Sequence, residues 1–461
     1  MGIFGIVSED RDITEDLLLG TDYLSHRFTK EGGIGTFDPD LGFQRMNRSI
    51  QGSQFKTEFF PDYRDLRGKY GIGVISGSDV QPIIFQSGLG DFALCMDGLV
   101  SNEEDVFREI MGERRILSRT DSNSLNQVEL IANLIGREPS YRDGLLRLHD
   151  HIVGSASLLL MVEDGIYAFS DKFPLAVGRK DDSWAVSSES TSFSNTGFEI
   201  NQFLTPGTVV KITKGGPEEL GKVNDLDICT FLWIYTAFPP SCFDGVNVET
   251  SRYRSGKILA EKYFVDADLV GGVPDSGTAY GIGFSRGGIP FARPLIKYTP
   301  GYQRSYTPPM QELRDWIASK KLIPVEELIR GMRLVLTEDS IVRGTQLRNA
   351  VNMIWENGAK EIHGRVASPP LTHPCPYNIS TRKPGELAAI RAIRDIENGC
   401  NPDLTPYLDP MSREYKILVD KVRGDLGLTS LAYQTPQDMV KAIGLPKKNL
   451  CMYCWRGNVP Y

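Results

Sequence analysis

The segment RLVLTEDSIVRGTQLRNAVNMIWENG, residues 333–358, decides the fold of the second half of the chain. Its first part, Leu334 to Leu336, is short and apolar, which predicts a buried strand. After a polar turn, apolar side chains recur at helical spacing, at Leu347, Val351, Ile354 and Trp355. Gly358 then marks the end of the predicted helix. The segment therefore predicts a strand, a loop and a helix, the unit from which covered parallel sheets are built.

The loop of this segment carries the residues that suggest chemistry. Glu338 and Asp339 stand where the strand ends, and six residues lead into the helix, namely Ser340, Ile341, Val342, Arg343, Gly344 and Thr345. Backbone N–H groups, hydroxyls and a helix N-terminus together favour a phosphate. Carboxylates suit ribose hydroxyls or Mg²⁺ instead. The loop therefore predicts a ribose 5-phosphate site, and the alternative is a surface turn with solvated acids.

A second glycine-rich turn follows another predicted strand, in the stretch DLVGGVPDSGTAYGIGFSRGGIPF at 268–291. The turn consists of Asp275, Ser276, Gly277 and Thr278. Alone it is a weak signal, because many such turns carry glycine for backbone geometry. Turns that follow neighbouring parallel strands, however, meet at one edge of the sheet, where α/β proteins bind ligands. The second turn is therefore a second candidate anion site, predicted to lie at the same sheet edge as the first.

The stretch between these turns, KYTPGYQRSYTPP at 297–309, has no regular period. One interpretation is a plain connecting loop. The other is a mobile lid, whose Lys297 and Arg304 would contact an anionic substrate while the closed loop excludes water.

Length and composition limit the class of protein. At 461 residues the chain exceeds one ordinary core, so two domains are expected. The 51 basic and 59 acidic residues give a net charge of −8, and without a dense basic stripe nucleic acid is not an expected partner. No apolar run has the length of a membrane span, and the N-terminus lacks the pattern of a secretory signal. We expect a cytoplasmic protein with no membrane partner.

The first half of the chain is rich in short β-type runs separated by Gly, Asp and Ser. These runs are GIFGIV, YGIGVIS, DFALCMDG, GSASLLLMV, GIYAFS, SWAVSSES and TVVKIT. Helices are predicted over 124–136 and, in the second half, over 250–265. An antiparallel layered domain is therefore expected first, and a mainly parallel α/β domain after it. The turn Gly215-Gly216-Pro217 and the polar stretch after it suggest the boundary, which we place between residues 225 and 226.

The seven cysteines are an odd and sparse set, which argues against a disulfide framework. Cys451 and Cys454 form a C-x-x-C pair, a spacing found in both zinc and iron–sulfur sites. The pair alone does not distinguish the two metals.

With these residues in view, nearly the whole chain resembles the glutamine phosphoribosylpyrophosphate (PRPP) amidotransferase family. The resemblance is carried by GIFGI at the start and by VPDSG, EDSIVRGT, NGAKEIHGRVASPP and IGLPKKNLCMYC. EDSIVRGT resembles the PRPP loop of type I phosphoribosyltransferases, with Glu338 where that family usually has Asp. The resemblance implies an N-terminal class II glutamine amidotransferase-like domain of the Ntn αββα type (residues 1–225). A type I phosphoribosyltransferase α/β domain (residues 226–461) would follow, giving an α+β and an α/β fold.

The resemblance assigns roles in the second half. PRPP would place its 5-phosphate on Ser340–Thr345, its ribose on Glu338 and Asp339, and its pyrophosphate near Asp275–Thr278. Mg²⁺ would be held by Ser276, Glu338 and Asp339, and the catalytic residues would be Lys297, Arg304 and Asp339. The stretch after Lys297 departs from the family, because Tyr298-Thr299 replaces an Asn-Arg pair.

In the first half the framework matches but the chemistry does not. The family's N-terminal nucleophilic Cys is replaced by Met1, whose thioether cannot form an acyl intermediate. The family's substrate-binding Gly-His-x-Arg-Tyr segment is replaced by Gly73–Gly77, which includes Ser76. Its oxyanion-hole Asn-Gly-Asn is replaced by Asp97, Gly98 and Leu99. Of the pocket, Arg27, Gly98 and Asp121 remain, so we expect a degenerate glutaminase site without activity.

The family branch that carries a [4Fe–4S] cluster has four cysteine ligands. All four match cysteines of this chain, at Cys229, Cys375, Cys451 and Cys454. The resemblance implies a structural cluster, with zinc and buried unliganded thiols as the alternatives. Cys95, Cys242 and Cys400 match no ligand and are expected to be packing residues.

The expected function is therefore transfer of the ribosyl 5-phosphate of PRPP to ammonia or another amine, with loss of pyrophosphate. A separate amidotransferase partner would be a further nitrogen source, and the resemblance implies a homo-oligomer in purine biosynthesis. The alternative is a non-catalytic regulator or scaffold that binds PRPP without turning it over.

Overall fold

The computed structural model describes residues 1–9, 11–113, 125–223, 226–298, 321–377, 381, 384–399 and 403–457. The predicted site residues Arg304 and Asp121, and also Cys400, lie outside these ranges. The chain divides into two units. The first comprises Met1–Cys229, Pro240–Gly245 and Pro376–Ile379, and the second comprises Thr230–Pro239, Val246–Cys375 and Ser380–Tyr461. None of the helices in the described ranges is long and apolar enough to cross a membrane.

The first unit contains two β-sheets. Their strands are β1 Gly2–Val7, β2 Glu31–Asp38, β3 Gly42–Ser49, β4 Tyr70–Ser76, β5 Ile83–Ser87, β6 Gly90–Val100, β7 Gly154–Val162, β8 Gly165–Phe169, β9 Leu175–Lys180, β10 Ser183–Ser187, β11 Glu199–Leu204, β12 Thr208–Thr213 and β13 Gly216–Lys222. One sheet has the order β11-β9-β10-β1-β4-β2-β3 and the other β13-β12-β8-β7-β6-β5. Neighbouring strands in both sheets are antiparallel. For example, Gly2 of β1 lies opposite Ile75 of β4.

Helices cover the outer faces of both sheets. They are α1 Thr14–Asp22, α2 Phe55–Phe59, α3 Glu103–Gly112, α4 Gln127–Gly136, α5 Tyr141–Leu146 and α6 Thr191–Ser194, with 3₁₀ turns at Tyr63–Asp65 and Leu148–Asp150. Apolar side chains such as Ile3, Val74 and Leu159 fill the space between the sheets. Separate cores lie under α1 and under α4. The unit therefore has the αββα layering that the resemblance predicted.

Each of the seven β-type runs quoted from the first half forms a strand. The turn at Gly215–Pro217, however, is not a linker. It leads into β13, whose residues pair with β12 from Thr213 opposite Gly216 to Thr208 opposite Lys222. Gly-Gly-Pro signals a hairpin turn as readily as a domain boundary, and pairing across the turn shows which of the two applies here.

The second unit is built on a parallel sheet. Two further short strands, β14 Ile228–Cys229 and β15 Cys242–Phe243, still belong to the first unit. The strands of the second unit are β16 Val246–Asn247, β17 Leu269–Gly272, β18 Leu295–Lys297, β19 Leu322–Pro324, β20 Arg333–Glu338, β21 Glu361–Val366, β22 Ser430–Tyr433 and β23 Leu450–Cys451. The parallel sheet has the order β17-β20-β21-β22, and β18 pairs antiparallel with β19.

Helices pack on both faces of this sheet. They are α7 Val248–Lys262, α8 Ser276–Ser285, α9 Thr345–Glu356, α10 Ala388–Glu397, α11 Arg413–Leu426, α12 Pro436–Ile443 and α13 Tyr453–Arg456, with a π-helix at Leu232–Thr236 and 3₁₀ turns at Glu326–Leu328, Pro384–Glu386, Thr405–Tyr407 and Lys447–Asn449. Leu334 and Leu336 of β20 face the core that contains α9. Val335, between them, faces the core that contains Tyr280 of α8. The predicted strand and helix at 333–358 are thus confirmed, and Gly358 has a positive φ of 86°.

Helices α7 and α8 approach each other closely because each presents a glycine to the other. A Cβ atom added to Gly256 would lie 2.1 Å from the carbonyl oxygen of Tyr280. One added to Gly283 would lie 2.2 Å from the carbonyl oxygen of Tyr253. Both contacts are with backbone atoms, which cannot rotate away. The position of α8, which begins at Ser276, therefore depends on glycine at these two sites.

We predict that Gly256→Ala destabilises the protein by about 1–3 kcal/mol, because the added methyl group forces the two helices apart. The matched control is Gly424→Ala in α11, where an added Cβ meets nothing within 4 Å. That change should stabilise by about 0.5–1 kcal/mol. Urea unfolding followed by tryptophan fluorescence measures both. If the two substitutions change the free energy of unfolding equally, the close contact between α7 and α8 is contradicted.

Candidate active site

The two predicted ligand-binding turns meet at the carboxyl edge of the parallel sheet. Thr337 of β20 lies opposite Gly272 of β17, and its hydroxyl is 2.8 Å from the carbonyl oxygen of Gly277. A Cβ atom on Gly277 would lie 2.4 Å from the carbonyl oxygen of Thr337. The turn after β17 therefore touches the end of β20, and only glycine at position 277 permits this contact.

This contact brings Ser276 to the acid pair. The Ser276 hydroxyl lies close enough to both carboxylates to lower the pKa of Glu338 and that of Asp339. The two acids are 6% and 5% exposed, and the N–H of Asp339 donates to Glu338 Oε1 at 3.1 Å. The hydroxyl of Ser340 also donates to Asp339. The structure thus brings together the three residues predicted to hold Mg²⁺, while their roles stay predictions.

Burial and mutual repulsion control the ionisation of this pair. Burial raises the pKa of Glu338 well above its usual range, and the charge of Asp339 raises it further. Burial also raises the pKa of Asp339, against the hydrogen bond from Ser276. Groups that stabilise negative charge, such as a cation or hydroxyl donors, would therefore bind here with a gain in electrostatic energy.

A buried cation lies behind the acids, and sequence reasoning missed it. Arg252 of α7 donates from Nε to the carbonyl oxygen of Trp233 at 2.9 Å and from Nη2 to that of Ala237 at 3.0 Å. The Tyr280 hydroxyl donates to the carbonyl oxygen of Ile234 at 2.9 Å. The positive charge of Arg252 lowers the pKa of Asp339. The sequence shows only that Arg252 falls within a predicted helix. It does not show the backbone carbonyls that Arg252 binds, because they lie in an earlier segment of the chain.

The turn at Asp275–Thr278, predicted to bind pyrophosphate, has one basic partner within the described ranges. Lys297 ends β18, and its ammonium group forms an ion pair with Asp275. The Pro274–Asp275 peptide bond is cis. The antiparallel pairing of Lys297 with Leu322 closes the stem of the predicted lid, whose remaining residues, Arg304 among them, lie outside the described part of the chain.

The loop that precedes α9 is anchored by one apolar residue and one glycine. Ile341 is buried in the core beside the sheet. Gly344 has a φ of 79°, a conformation that favours glycine, and Thr345 is the first residue of α9. The predicted phosphate loop, residues 340–345, therefore lies at a helix N-terminus next to the acid pair.

In the first unit, the predicted glutaminase pocket contains a buried network of charges. The amino group of Met1 lies 2.8 Å from Asp97 Oδ1, and Arg27 Nη2 lies 3.0 Å from Asp97 Oδ2. Arg27 Nη1 also lies 3.0 Å from Glu189 Oε1, and its Nε donates to the carbonyl oxygen of Met1 at 2.9 Å. Burial lowers the pKa of the Met1 amino group to about 6, although Asp97 favours its charged form. Both ends of Arg27 are thus occupied by carboxylates of this chain.

The Met1 side chain contacts Ser76, which belongs to the segment predicted to replace the family's substrate-binding residues, and also Gln81. Its sulfur lies 3.7 Å from Ser76 Oγ and 3.2 Å from Gln81 Nε2. Leu99 of β6 is buried. Gly98 has a structural explanation, because a Cβ atom there would lie 1.9 Å from the carbonyl oxygen of Ser155 in β7. Its presence is therefore no evidence for an oxyanion hole.

Glu189 is a member of this network that sequence reasoning did not identify as a site residue. Its fully buried carboxylate accepts from Ser241 at 2.7 Å and contacts His26 Nε2 at 2.9 Å, besides its ion pair with Arg27. Glu189 lies near the end of the quoted run SWAVSSES, but the pattern alone does not identify its partners.

The four predicted cluster cysteines divide between the units. Cys229 ends the first stretch of the first unit, and the other three belong to the second. Within the second unit, the N–H groups of Thr372 and His373 both donate to the carbonyl oxygen of Cys454 at 3.1 Å. The chain before Cys375 therefore contacts the C-x-x-C pair. No group of three or more potential metal ligands occurs within the described ranges, and the cluster stays a prediction.

Comparison with known proteins identifies relatives that match most or all of the chain. A scan against protein-family models returns no match. The amidophosphoribosyltransferase of Methanocaldococcus jannaschii is 32% identical over 501 aligned residues, covering 100% of this chain and 97% of that protein. The amidophosphoribosyltransferase of Archaeoglobus fulgidus is 33% identical over 425 residues, covering 88% of this chain and 91% of that protein.

A solved structure extends the likeness to the fold. Glutamine PRPP amidotransferase from B. subtilis, complexed with ADP and GMP, superposes with a TM-score of 0.83 at 28% identity, covering 100% of this chain and 97% of that one. Both the αββα unit and the parallel-sheet unit take part in this match, so the predicted fold class is confirmed. The chain therefore belongs to the amidophosphoribosyltransferase family.

Proposed function

We propose that this chain transfers the ribosyl 5-phosphate of PRPP to ammonia or another amine that its own first unit does not produce. One observation carries the proposal. In the second unit Ser276 joins Glu338 and Asp339 at one sheet edge, whereas in the first unit Met1, Arg27 and Asp97 bind one another. The two acids of the second unit carry charge of the same sign, which a cation or hydroxyl donors would stabilise. In the first unit, Arg27 is already paired with two carboxylates.

The residues of the second unit suit each part of PRPP. Glu338 and Asp339 would accept from the ribose hydroxyls, and Ser340–Thr345 would bind the 5-phosphate. Two buried carboxylates and the Ser276 hydroxyl form a hard oxygen donor set, which fits Mg²⁺. When bound, Mg²⁺ neutralises charge on the leaving pyrophosphate.

In the proposed reaction the bond from the anomeric carbon to pyrophosphate breaks, and pyrophosphate leaves with the electron pair. The amine nitrogen forms the new bond to this carbon and loses a proton. Lys297 stands beside Asp275 in the pyrophosphate turn, where its charge would favour the leaving group. Closure of the loop that includes Arg304 would exclude water from the positively charged sugar.

For the second unit, we predict that Asp339→Ala lowers PRPP affinity about 100-fold or more, because charge-assisted hydrogen bonds to the ribose are lost. Its thermal midpoint should not fall, since one of two repelling buried acids is removed. The exposed Asp420→Ala on α11 is the control. Calorimetric titration gives the affinity, and pyrophosphate release with ammonia gives the activity. Unchanged PRPP binding by Asp339→Ala would refute the assignment of the acid pair.

For the first unit, we predict no release of glutamate from glutamine above a heat-killed control. Met1→Cys alone should not create activity, because Asp97 places a negative charge where the reaction needs oxyanion donors. The double variant Met1→Cys with Asp97→Asn tests whether charge is the remaining obstacle. Glutamate release by the unchanged protein would contradict the proposal. PRPP binding without pyrophosphate release, with any amine tested, would instead favour the regulator.

We also propose that Cys229, Cys375, Cys451 and Cys454 hold a [4Fe–4S] cluster. The support is the match of four positions to the cluster-bearing branch and the contact between the chain before Cys375 and Cys454. Cys375 and Cys454 are buried, where water would not compete for a metal. Cluster binding would fix the C-terminal tail and contribute to folding stability.

Protein purified without oxygen should therefore contain about four irons and four acid-labile sulfides per chain. Cys454→Ser should lose both and unfold at a lower temperature, whereas Cys242→Ser, at a partly exposed position outside the proposed set, should retain them. Iron and sulfide analysis with visible absorption provides the measurement. If the protein contains about one zinc per chain and no sulfide, the cluster proposal is wrong and the cysteines form a zinc site.

A further inference from the structure

The loop proposed to bind the 5-phosphate is held by a segment that lies outside every motif quoted from the sequence. We call Glu386–Arg391, which leads into and begins α10, the brace. The N–H of Ala388 donates to the carbonyl oxygen of Val342 at 2.7 Å. Arg391 Nη2 donates to the carbonyl oxygen of Arg343 at 2.6 Å. Two successive carbonyl groups of the loop are thus bound by the brace.

The brace is also connected within itself and to a loop side chain. Arg391 Nη1 donates to the carbonyl oxygen of Glu386 at 2.7 Å, so its guanidinium bridges the brace and the loop. The carboxylate of Glu386 accepts from Arg343 Nε at 2.7 Å. Arg343 is therefore fixed at both its backbone and its side chain, and its charge is already paired with Glu386.

Peptide geometry determines where the N–H groups of the loop point. In a planar trans peptide, the C=O and the N–H of the next residue point in opposite directions. The bonds after Val342 and Arg343 are not among the cis bonds of the described chain. With both carbonyls directed at the brace, the N–H groups of Arg343 and Gly344 point away from it. Neither N–H donates to an acceptor within the described residues.

From this geometry we infer that Arg391 and Glu386 are positioning residues that orient the Arg343 and Gly344 N–H groups toward the 5-phosphate. The inference rests on the proposed function and adds two residues to it. Gly344 supports it, because its φ of 79° lets the chain turn directly from these N–H groups into α9. The phosphate would then receive backbone donors and the N-terminus of α9 together.

The brace acts on one end of the substrate only. Its contacts are with Val342 and Arg343, and the pyrophosphate turn at Asp275–Thr278 is held instead by Thr337. Loss of the brace should therefore weaken ligands that carry the 5-phosphate without weakening pyrophosphate. A general structural role would weaken both ligands equally.

The test compares binding of ribose 5-phosphate and of pyrophosphate, each with Mg²⁺, by calorimetric titration. Arg391→Met removes the donors and keeps a long side chain, and Arg391→Lys restores one donor. The matched control is Arg413→Met, at an exposed arginine in the first turn of α11. We expect Arg391→Met to weaken ribose 5-phosphate about tenfold or more and Arg391→Lys to recover part of the loss. Pyrophosphate affinity and the control variant should remain unchanged.

The outcomes separate this inference from the proposed function. If the unchanged protein binds neither ligand, the proposed function fails, and the inference fails with it. If the unchanged protein binds both and Arg391→Met binds both equally well, only the brace is refuted. Equal losses for both ligands, or a lowered thermal midpoint with no difference between ligands, would also refute it. In steady-state kinetics the inference requires a raised KM for PRPP with kcat nearly retained.

Discussion

The contact between the Thr337 hydroxyl and the Gly277 carbonyl is the constraint on which the candidate active site depends. A buried hydrogen bond contributes only about 1 kcal/mol net, and the same hydroxyl also lies 3.2 Å from the carbonyl oxygen of Gly271. The hydroxyl thus connects the end of β20 to the end of β17 and to the turn after it. Ser276 then reaches two carboxylates on another strand. The lack of a side chain at Gly277 lets the turn approach the Thr337 backbone, and the Thr337 hydroxyl donates the hydrogen bond that joins them.

In the first unit, the predicted glutaminase pocket is filled by a network of its own buried charged groups. Asp97 lies between the Met1 amino group and the Arg27 guanidinium, while Glu189 contacts the other terminal nitrogen of Arg27. Removal of one member of a buried ion pair typically costs about 3–5 kcal/mol, because the remaining charge has no partner. Removal of one charged member alone would therefore destabilise the unit. A pocket whose arginine is satisfied internally has little electrostatic attraction left for a substrate carboxylate.

The sequence predicted those features that are local. The strand and helix at 333–358 were recognisable because their apolar residues are periodic and the helix ends in glycine. β3 was missed because Gly42–Ser49 is only half-buried and mostly polar. Gly215–Pro217 was misassigned because one turn signal serves both hairpins and linkers. Arg252 and Arg391 were missed for a different reason, since their partners are backbone carbonyls in remote segments, which leave no side-chain pattern to detect.

Arg252 gives the acid pair a definite electrostatic character. Glu338 and Asp339 together would carry two negative charges, and the buried guanidinium behind Asp339 offsets one of them. The net charge of this buried set is then about −1 when both acids are ionised. In the proposed function, a divalent cation would change the sign to +1, which suits the strongly anionic PRPP. Without Arg252 the same cation would leave the set neutral. The charge of the arginine would therefore favour an anionic ligand.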